Sequence, residues 1–318
     1  MTITAALPTY RGARHIAEAL RSILAQDVGD DDFDLLICDD RSDDEVLDIA
    51  RQVAGDRVRI EVNSERLGLA GNWNQCVKQS RAPWTAVFHQ DDVMKPGYLR
   101  ARLDAIRADP SLGMICGAAV AIDDQSRELP ETTVERGGLG DSNRTFASGE
   151  LLRELSWRNP IRCSTVALRA EAFSKLGGFD PSWRYVVDWD FWIKMGREWP
   201  VRWLAAPDTA FRWHLASETH SFKTGTTDLE ETRRLLDLLF ERDGRNWPDT
   251  ADALRRRGWE RLARAYLNRA YEASRVRQGG LVRQTLAAAL ELDRRGVGLA
   301  VLRDPRLAAR LGWSWLRG

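Results

Sequence analysis

Residues 84–92 have the sequence WTAVFHQDD, in which an apolar run is followed at once by two adjacent carboxylates, Asp91 and Asp92. An apolar run of this length predicts a buried strand, so the two acids are expected at its end. Carboxylates this close repel each other unless a cation or hydrogen-bond donors lie between them. The pair therefore predicts a divalent metal that holds a diphosphate, although acids at strand ends also serve as helix caps.

Upstream of this stretch, short apolar segments alternate with helical patterns. Strands are predicted at 3–7, 33–38, 58–62 and 84–88, and helices at 15–26, 44–54 and 70–80. This order predicts a parallel sheet with helices on both faces, and ligands bind beyond the carboxyl ends of such strands. Polar segments follow three of the strands, at 8–10, 39–43 and 90–92. We therefore expect these three segments to meet.

The rest of the chain is less regular. Further helices are predicted at 98–108 and 188–198, and further strands at 114–119, 165–168, 201–205 and 209–213. Residues 123–146 are polar and rich in glycine, which predicts a long mobile loop. From residue 226 onward the pattern is helical and arginines outnumber acids. The sequence thus predicts an α/β domain over residues 1–225 and a helical, Arg-rich region over residues 226–318.

Composition excludes several classes of protein. Basic and acidic residues number 47 each, so whole-chain charge favours no nucleic-acid partner. The four cysteines form no C-x-x-C pair, and neither G-x-G-x-x-G nor a P-loop occurs. The N-terminus lacks the pattern of a signal peptide, and no apolar run approaches about 18 residues. We therefore expect a cytoplasmic protein that does not span a membrane.

Four motifs together resemble the family-2 glycosyltransferases over roughly residues 1–220. They are Leu7–Tyr10, Ile37–Ser42, His89–Asp92, and the segment from Gly177 through Asp180 to Asp190. The resemblance implies a GT-A fold, which is a Rossmann-like, mostly parallel mixed sheet flanked by helices. It also implies a nucleotide-sugar donor, UDP- or dTDP-linked, an Mg²⁺ or Mn²⁺ cofactor, and inversion at the anomeric carbon. Residues 1–120 would bind the nucleotide sugar, and residues 121–225 would form the acceptor side.

The resemblance assigns the nucleotide to residues near the first two strands. Pro8, Thr9 and Tyr10 would line the nucleoside pocket, and Asp39 would accept a hydrogen bond from the base. The alternative is that Asp39, Asp40 and Ser42 cap the helix predicted from residue 44. Arg66 stands where similar enzymes contact the nucleotide, and the alternative for it is a solvated loop arginine.

The resemblance also assigns the chemistry. Asp91 would lie near the ribose, Asp92 would bind the metal, and His214 would be a further metal ligand or phosphate contact. Asp188 would be the general base that takes the proton from the acceptor hydroxyl. Val187 departs from the pattern, because glutamate is usual before this aspartate. The alternative for Asp188 is a cap of the helix that follows it.

Aromatic residues around the predicted base suggest an acceptor site. Trp183 and Tyr185 precede the helix and are candidates for contact with a sugar ring, whereas Trp192 fits a buried helical face. In the C-terminal region, Arg255, Arg256 and Arg257 lie in amphipathic patterns with Trp259, Trp313 and Trp315. Such helices either rest on anionic lipid as a peripheral membrane contact, or pack on the catalytic domain or on a second subunit.

These observations predict an inverting, metal-dependent glycosyltransferase that acts on a glycan or lipid-linked acceptor, in bacterial polysaccharide or cell-envelope glycan synthesis. Two alternatives stay open. One is a sugar-nucleotide nucleotidyltransferase, although only Gly12 offers a glycine near the first strand. The other is a non-catalytic scaffold that binds nucleotide sugars, which the valine at position 187 would suit.

Overall fold

The computed structural model describes residues 1–29, 32–214 and 222–304, together with residues 308 and 311. These residues fall into two compact units. The first comprises 1–155, 159–183 and 187–214, and the second comprises 156–158, 184–186 and the described residues from 222 onward. The boundary predicted after residue 225 therefore lies inside the second unit, which also takes in two short segments of the predicted α/β domain.

The first unit is built on a mixed sheet of nine strands in the described residues. Its elements, in chain order, are β1 (Ile3–Thr9), α1 (Ile16–Leu24), β2 (Phe33–Asp39), α2 (Val46–Ala54), β3 (Val58–Val62), α3 (Gly68–Lys78), β4 (Trp84–Val87), β5 (Val93–Met94), α4 (Tyr98–Ala108), β6 (Met114–Ile122), β7 (Arg144–Phe146), α5 (Leu152–Leu155), β8 (Ala167–Arg169), α6 (Ala170–Leu176), α7 (Val187–Glu198) and β9 (Val201–Arg212). The strand order is β3-β2-β1-β4-β8-β6-β9-β5, and β7 pairs with β9.

The long ladders of this sheet are parallel. Strand β1 pairs in parallel with both β2 and β4, β2 pairs with β3, and β6 pairs with β9. The antiparallel pairs that involve β8, β5 and β7 are only two or three residues long. The predicted alternation of strands and helices through β4 is confirmed. Parallel strands place their carboxyl ends along one edge, which brings the segments after β1, β2 and β4 together.

Helices α1, α2 and α4 bury apolar stripes on the sheet. Ile16, Leu20 and Ile23 of α1 are fully buried, at the spacing that a helical face requires. They join one cluster with alternate residues of the strands, such as Ile3, Ala5 and Leu7. Burial of each large apolar side chain contributes about 1.5–3 kcal/mol, so this continuous stripe accounts for the stability of the layer.

One prediction about the later part of this unit was wrong. The strands predicted at 201–205 and 209–213 form one strand, β9, whose ladder with β6 shifts register near Ala118. A bulge lets one strand continue past Pro207, where the pattern suggested a break.

The segment predicted as a mobile loop, residues 123–146, ends in strand β7. Two of its glycines are hydrogen-bonded, since Gly138 N–H donates to Pro160 O (2.8 Å) and Trp203 Nε1 donates to Gly140 O (2.8 Å). Its mobility stays a prediction.

A buried ion pair crosses this unit. The Arg102 side chain of α4 is fully buried, donates to the Asp208 carboxylate of β9 and to Thr165 O (2.7 Å), and lies 3.4 Å over the Tyr98 ring. Removing one partner would leave a buried charge without compensation, which typically costs about 3–5 kcal/mol. Nothing in the sequence pattern pairs these residues.

The second unit is helical, as predicted for the C-terminal region. Its helices are α8 (Thr227–Asp243), α9 (Ala251–Arg275), α10 (Gly279–Leu292) and α11 (Arg294–Arg303). Leu262, Tyr266 and Val282 belong to its apolar cluster, and a buried ion pair joins Arg269 to Asp228 (2.7 Å). Arginines 255–257 are exposed, while Trp313 and Trp315 lie outside the described residues. No helix among the described residues is long and apolar enough to cross a bilayer.

Candidate functional site

The polar segments after β1, β2 and β4 are joined by hydrogen bonds. Tyr10 N–H donates to Gln90 Oε1 (3.0 Å), and Gln90 Nε2 donates back to Tyr10 O (3.0 Å). On the other side, Thr9 Oγ1 donates to Asp39 Oδ1 (3.0 Å). The three segments that the sequence placed at strand ends therefore form one site. Gln90 was not among the predicted site residues. Only its position next to Asp91 in the sequence could have identified it as part of the site.

Asp39 is 1% exposed, at the end of β2. In addition to the Thr9 hydroxyl, it accepts hydrogen bonds from Ser42 Oγ (2.6 Å) and Ser42 N–H (2.9 Å). A carboxylate has about four acceptor positions, so one of them is left for a ligand. Asp39 does not cap α2, because that helix begins at Val46, whose N–H donates to Asp44 Oδ1 (3.4 Å) and not to Asp39. The helix-cap alternative for Asp39 is therefore wrong.

Asp40 does act as a helix cap, but on a different helix from the one expected. Its carboxylate accepts hydrogen bonds from the backbone N–H groups of Leu67 (2.7 Å) and Gly68 (2.9 Å), where α3 begins. Asn63 Nδ2 donates to the same carboxylate (3.0 Å). A negative charge at a helix N-terminus is stabilising, so the contacts of Asp40 account for its burial.

Tyr10 and Arg66 form a stacked pair. The Arg66 guanidinium carbon lies 3.7 Å from the centroid of the Tyr10 ring, and Arg66 Nη1 donates to the Tyr10 hydroxyl (2.8 Å). The Arg66 side chain is still 55% exposed. It is thus a cation–π partner of a residue predicted to line the nucleoside pocket, and its contact with the nucleotide stays a prediction. Pro8, one residue before Thr9, is buried within β1.

The two adjacent acids have different surroundings. Asp92 is 5% exposed and accepts hydrogen bonds from Arg212 N–H (2.8 Å) and from the Ser164 hydroxyl. Burial, together with the charge of Asp91, raises the pKa of Asp92 to about 8. Burial alone would also raise the pKa of Asp91, but the hydrogen bond to His214 and the nearby His89 hold it below its usual value. Without a cation, the pair therefore does not share two full charges at neutral pH.

His214 lies beside the first of these acids. Its Nε2 atom is 3.0 Å from Asp91 Oδ2, and this hydrogen bond raises the pKa of His214. The contact places His214 at the edge of the predicted metal site, as expected from its motif. The ring of His15 lies 5.6 Å from that of His214, and burial lowers the pKa of His15.

The donor atoms of this site fit a divalent cation. His89, Asp91 and Asp92 each offer one ligand atom, and these atoms lie within 4.8 Å of one another. Carboxylate oxygens suit both Mg²⁺ and Mn²⁺, and a nitrogen ligand is accepted more readily by a transition-metal ion such as Mn²⁺ than by Mg²⁺. Burial lowers the pKa of His89, so its ring is neutral near pH 7. The sequence offered no support for His89 beyond its place in the motif, and His220 lies outside the described residues.

Arg212 holds the metal-site segment in place and was not predicted to do so. Its side chain is fully buried. Its Nε atom donates to Asp91 O (2.8 Å), Nη1 donates to Asp123 O (2.7 Å), and Nη2 donates to Glu18 Oε2 (2.7 Å). The end of β9 is thereby tied to Asp91, and the adjacent backbone N–H contacts Asp92. Its partners are distant in sequence, so no local pattern could have identified it.

Asp188 lies in the first turn of α7. Its Oδ2 atom accepts from Asn159 Nδ2 (3.0 Å), and its Oδ1 atom accepts from Trp189 N–H (2.7 Å). Burial raises the pKa of Asp188. His89 interacts electrostatically with both Asp91 and Asp188, and Cys163 does so with both Asp92 and Asp188. His89 and Cys163 thus link Asp188 electrostatically to the two acids, which lie about a hundred residues earlier in the sequence, and its role as the general base stays a prediction.

The predicted acceptor aromatics differ in exposure. Trp183 is 5% exposed and belongs to the first unit. Tyr185 is half-buried and belongs to the second unit, where its N–H donates to Glu231 (2.8 Å) and its ring lies 5.4 Å from that of Phe222. Their contact with an acceptor stays a prediction. Trp192 is fully buried, as its helical face indicated.

Residues 4–177 match the family model described as Glycosyl transferase family 2. Among curated proteins, MT1568 of Mycobacterium tuberculosis is 29% identical over 73% of this chain and 71% of its own length. Chondroitin synthase of Escherichia coli is 24% identical over 62% of this chain, and the match spans only 26% of that protein.

Two solved structures are similar over 99% of this chain. Staphylococcus aureus TarS 1–349 in complex with UDP-GlcNAc has a TM-score of 0.64 at 16% identity, over 89% of that chain. The mannosyltransferase PcManGT of Pyrobaculum calidifontis, in complex with GDP-Man and Mn²⁺, has a TM-score of 0.57 at 18% identity, over 88% of that chain. These similarities confirm the predicted GT-A fold.

Proposed function

Because this chain belongs to glycosyl transferase family 2, as its motifs predicted, we propose that it transfers a sugar from a nucleotide-diphosphate donor to an acceptor hydroxyl, with inversion at the anomeric carbon. The observation that carries this proposal is that the segments with Tyr10, Asp39 and the Asp91–Asp92 pair follow three neighbouring strands and are joined by hydrogen bonds. The acceptor is a glycan or a lipid-linked glycan, in bacterial polysaccharide or cell-envelope glycan synthesis. The match to chondroitin synthase, whose name gives a polysaccharide as its product, supports this choice of acceptor.

The donor nucleoside binds at the ends of β1 and β2. Tyr10 offers a ring that Arg66 holds from one side, and Asp39 retains one acceptor position for an N–H of the base. Thr9 and Pro8 shape the floor of this pocket. UDP- or dTDP-linked sugars are the expected donors, and the binding of UDP-GlcNAc to TarS supports a nucleotide sugar of this class.

Substitution of Gly12 tests whether Gln90 belongs to this nucleoside pocket. A Cβ atom at position 12 would lie 2.1 Å from Gln90 Oε1, so alanine must displace the amide that pairs with the Tyr10 backbone. Two hydrogen bonds of about 1 kcal/mol each are at risk, and we expect Gly12→Ala to weaken UDP binding about tenfold in calorimetric titrations. Gly29→Ala is the matched control, since its Cβ would make only an ordinary contact with Asp32 (3.5 Å). Equal UDP affinities for both variants would remove Gln90 from the donor pocket.

The diphosphate binds at the two adjacent acids. Asp91 lies near the ribose, and Asp92 and His214 hold an Mg²⁺ or Mn²⁺ ion, a choice that the Mn²⁺ in PcManGT supports. A bound cation would neutralise the charge that grows on the departing diphosphate. Arg212 keeps the carbonyl of Asp91 and the carboxylate of Asp92 in place for this contact.

Asp188 is the general base of the proposed reaction. The carboxylate takes the proton of the acceptor hydroxyl as the oxygen attacks the anomeric carbon from the face opposite the diphosphate. Burial raises the pKa of Asp188, which makes it a stronger base than an exposed aspartate. Asn159 donates a hydrogen bond that stabilises the ionised carboxylate and orients it. The apolar side chain of Val187 can supply no such hydrogen bond. Trp183 and Tyr185 are proposed to contact the acceptor.

Substitution of Asn159 tests the ionisation of Asp188. The hydrogen bond from Asn159 lowers the pKa of Asp188, so Asn159→Ala is expected to raise that pKa further. An aspartate acts as a base only when it is ionised, so activity is lost as the pH falls through the pKa of Asp188. In Asn159→Ala, the acid limb of the kcat/KM profile should therefore move to higher pH by about one unit. Rate profiles between pH 5 and 9 measure the shift. Asn143→Ala, at an exposed loop asparagine, should leave the limb in place.

A panel of nucleotide sugars tests the proposal as a whole. We expect metal-dependent release of UDP or dTDP from one donor, faster in the presence of a glycan or lipid-linked acceptor. Binding of a nucleotide sugar without release across the panel would favour the scaffold, which the valine at position 187 motivates. Formation of a nucleotide sugar from a sugar phosphate would favour the nucleotidyltransferase.

A further inference from the structure

The imidazole of His89 lies beside the proposed cation site, at the outer limit of ion-pair distance from Asp92. Its Nδ1 atom is 4.0 Å from Asp92 Oδ2, which is too long for a hydrogen bond. The ligand atoms of His89, Asp91 and Asp92 nevertheless all lie within 4.8 Å of one another. Three donor atoms at such separations can contact one ion placed between them.

The His89 ring is held in this position by its neighbours. It stacks on Trp73, with centroids 5.3 Å apart and planes at 27°. Its backbone N–H donates to Ser164 Oγ (3.1 Å), and the same hydroxyl donates to Asp92. The ring and the carboxylate are therefore positioned by one serine, which is how a preorganised ligand pair is built.

One ring nitrogen of His89 has no hydrogen-bond partner within the described residues. This atom is Nε2, which is buried. The other ring nitrogen, Nδ1, faces Asp92 at 4.0 Å. His214 differs, because its Nε2 atom already contacts the Asp91 carboxylate at 3.0 Å. A buried polar atom normally has a partner, so the unpaired nitrogen beside two carboxylates needs an explanation, and a bound ion would be one.

We infer that His89 supplies a further, nitrogen ligand to the cation proposed at Asp92. This inference rests on the proposed function, since that function requires a cation at this acid. A donor set with one nitrogen and carboxylate oxygens favours Mn²⁺ over Mg²⁺, because imidazole suits transition metals and Mg²⁺ prefers oxygen. His89 would thereby set which metal the site prefers.

Pulsed electron paramagnetic resonance of Mn²⁺, bound alone to untagged full-length protein, tests this inference. A directly bound imidazole produces nitrogen modulation of the Mn²⁺ signal. We expect the modulation in wild type and in His214→Gln, and its loss in the double variant His89→Gln/His214→Gln. His15→Gln is the matched control and should leave the signal unchanged. No modulation in His214→Gln, or no Mn²⁺ binding by that variant, would overturn the inference.

Metal affinities give a second measurement that does not depend on activity. Loss of one nitrogen ligand should weaken Mn²⁺ binding about tenfold in His89→Gln, while Mg²⁺ binding changes less than about twofold. Equal losses for both metals would overturn the inference and leave the proposed function intact. Release of nucleoside diphosphate that is insensitive to chelators would instead contradict the metal dependence of the proposed function.

Discussion

Asp188→Asn is expected to lower sugar transfer by about 10²–10⁴-fold, the usual contribution of a positioned base. Asparagine has nearly the same shape, and its single carbonyl oxygen can accept one of the two hydrogen bonds that Asn159 and Trp189 donate to separate oxygens of Asp188. It cannot take a proton from the acceptor hydroxyl. Donor affinity should therefore stay within about twofold of wild type, because the change removes a proton acceptor and not a nucleotide contact. Release of nucleoside diphosphate and calorimetric binding of the donor measure the two effects.

The control for this prediction lies on the same helix. Asp190 is two residues further along α7 and pairs with Lys194 (2.6 Å), so Asp190→Asn removes a charge at similar depth without touching the site. We expect this variant to retain transfer. Full turnover in Asp188→Asn would contradict the assignment of the base. A parallel loss in both variants would indicate that helix α7, and not proton transfer, is the sensitive feature.

Asp92→Ala is expected to weaken both Mn²⁺ and donor binding and to reduce transfer by at least about a hundredfold, since charge stabilisation at such sites is worth several kcal/mol. The carboxylate is 5% exposed and holds the Arg212 N–H and the Ser164 hydroxyl, so its removal also leaves two donors unsatisfied. UDP titrations with and without Mn²⁺ separate the effects. Wild type should bind UDP more tightly with the metal, and the variant should bind it equally with and without.

A folding defect must be separated from a binding defect here. Asp92→Asn keeps the volume and can still accept the Arg212 N–H, so it should melt closer to the wild-type temperature while losing Mn²⁺ affinity. Asp104→Ala, an exposed acid on α4, should change neither property. Mn²⁺-dependent UDP binding that survives in Asp92→Asn would place the cation elsewhere.

Local patterns predicted much of the fold. The apolar runs of β1, β2 and β4 and the stripe of Ile16, Leu20 and Ile23 on α1 depend on residues within one turn or one strand. Their burial follows directly from side-chain period and hydrophobicity. The patterns failed for β9, because a bulge depends on the neighbouring strand and not on the strand itself.

The sequence predicted the positions of Asp39 and Asp40 at a strand end but not their hydrogen-bond partners. Asp39 and Asp40 are adjacent in sequence, yet one bonds Thr9 and Ser42 and the other caps α3. Gln90 and Arg212 were missed because each acts through partners far along the chain. A residue of this kind has no periodic signal of its own.

What the sequence determined is which groups follow which strands, since the order of apolar and polar segments controls where a buried strand can end. Only the tertiary structure decided which polar atoms pair. The Tyr10–Gln90 contact joins residues 80 positions apart, and the Arg212–Asp92 contact joins residues 120 positions apart. A buried polar group must find a partner wherever the packed sheet places one, and that position is a property of the assembled fold. The same packing leaves the Nε2 atom of His89 without a hydrogen-bond partner in the described residues beside two carboxylates, which no local pattern predicts.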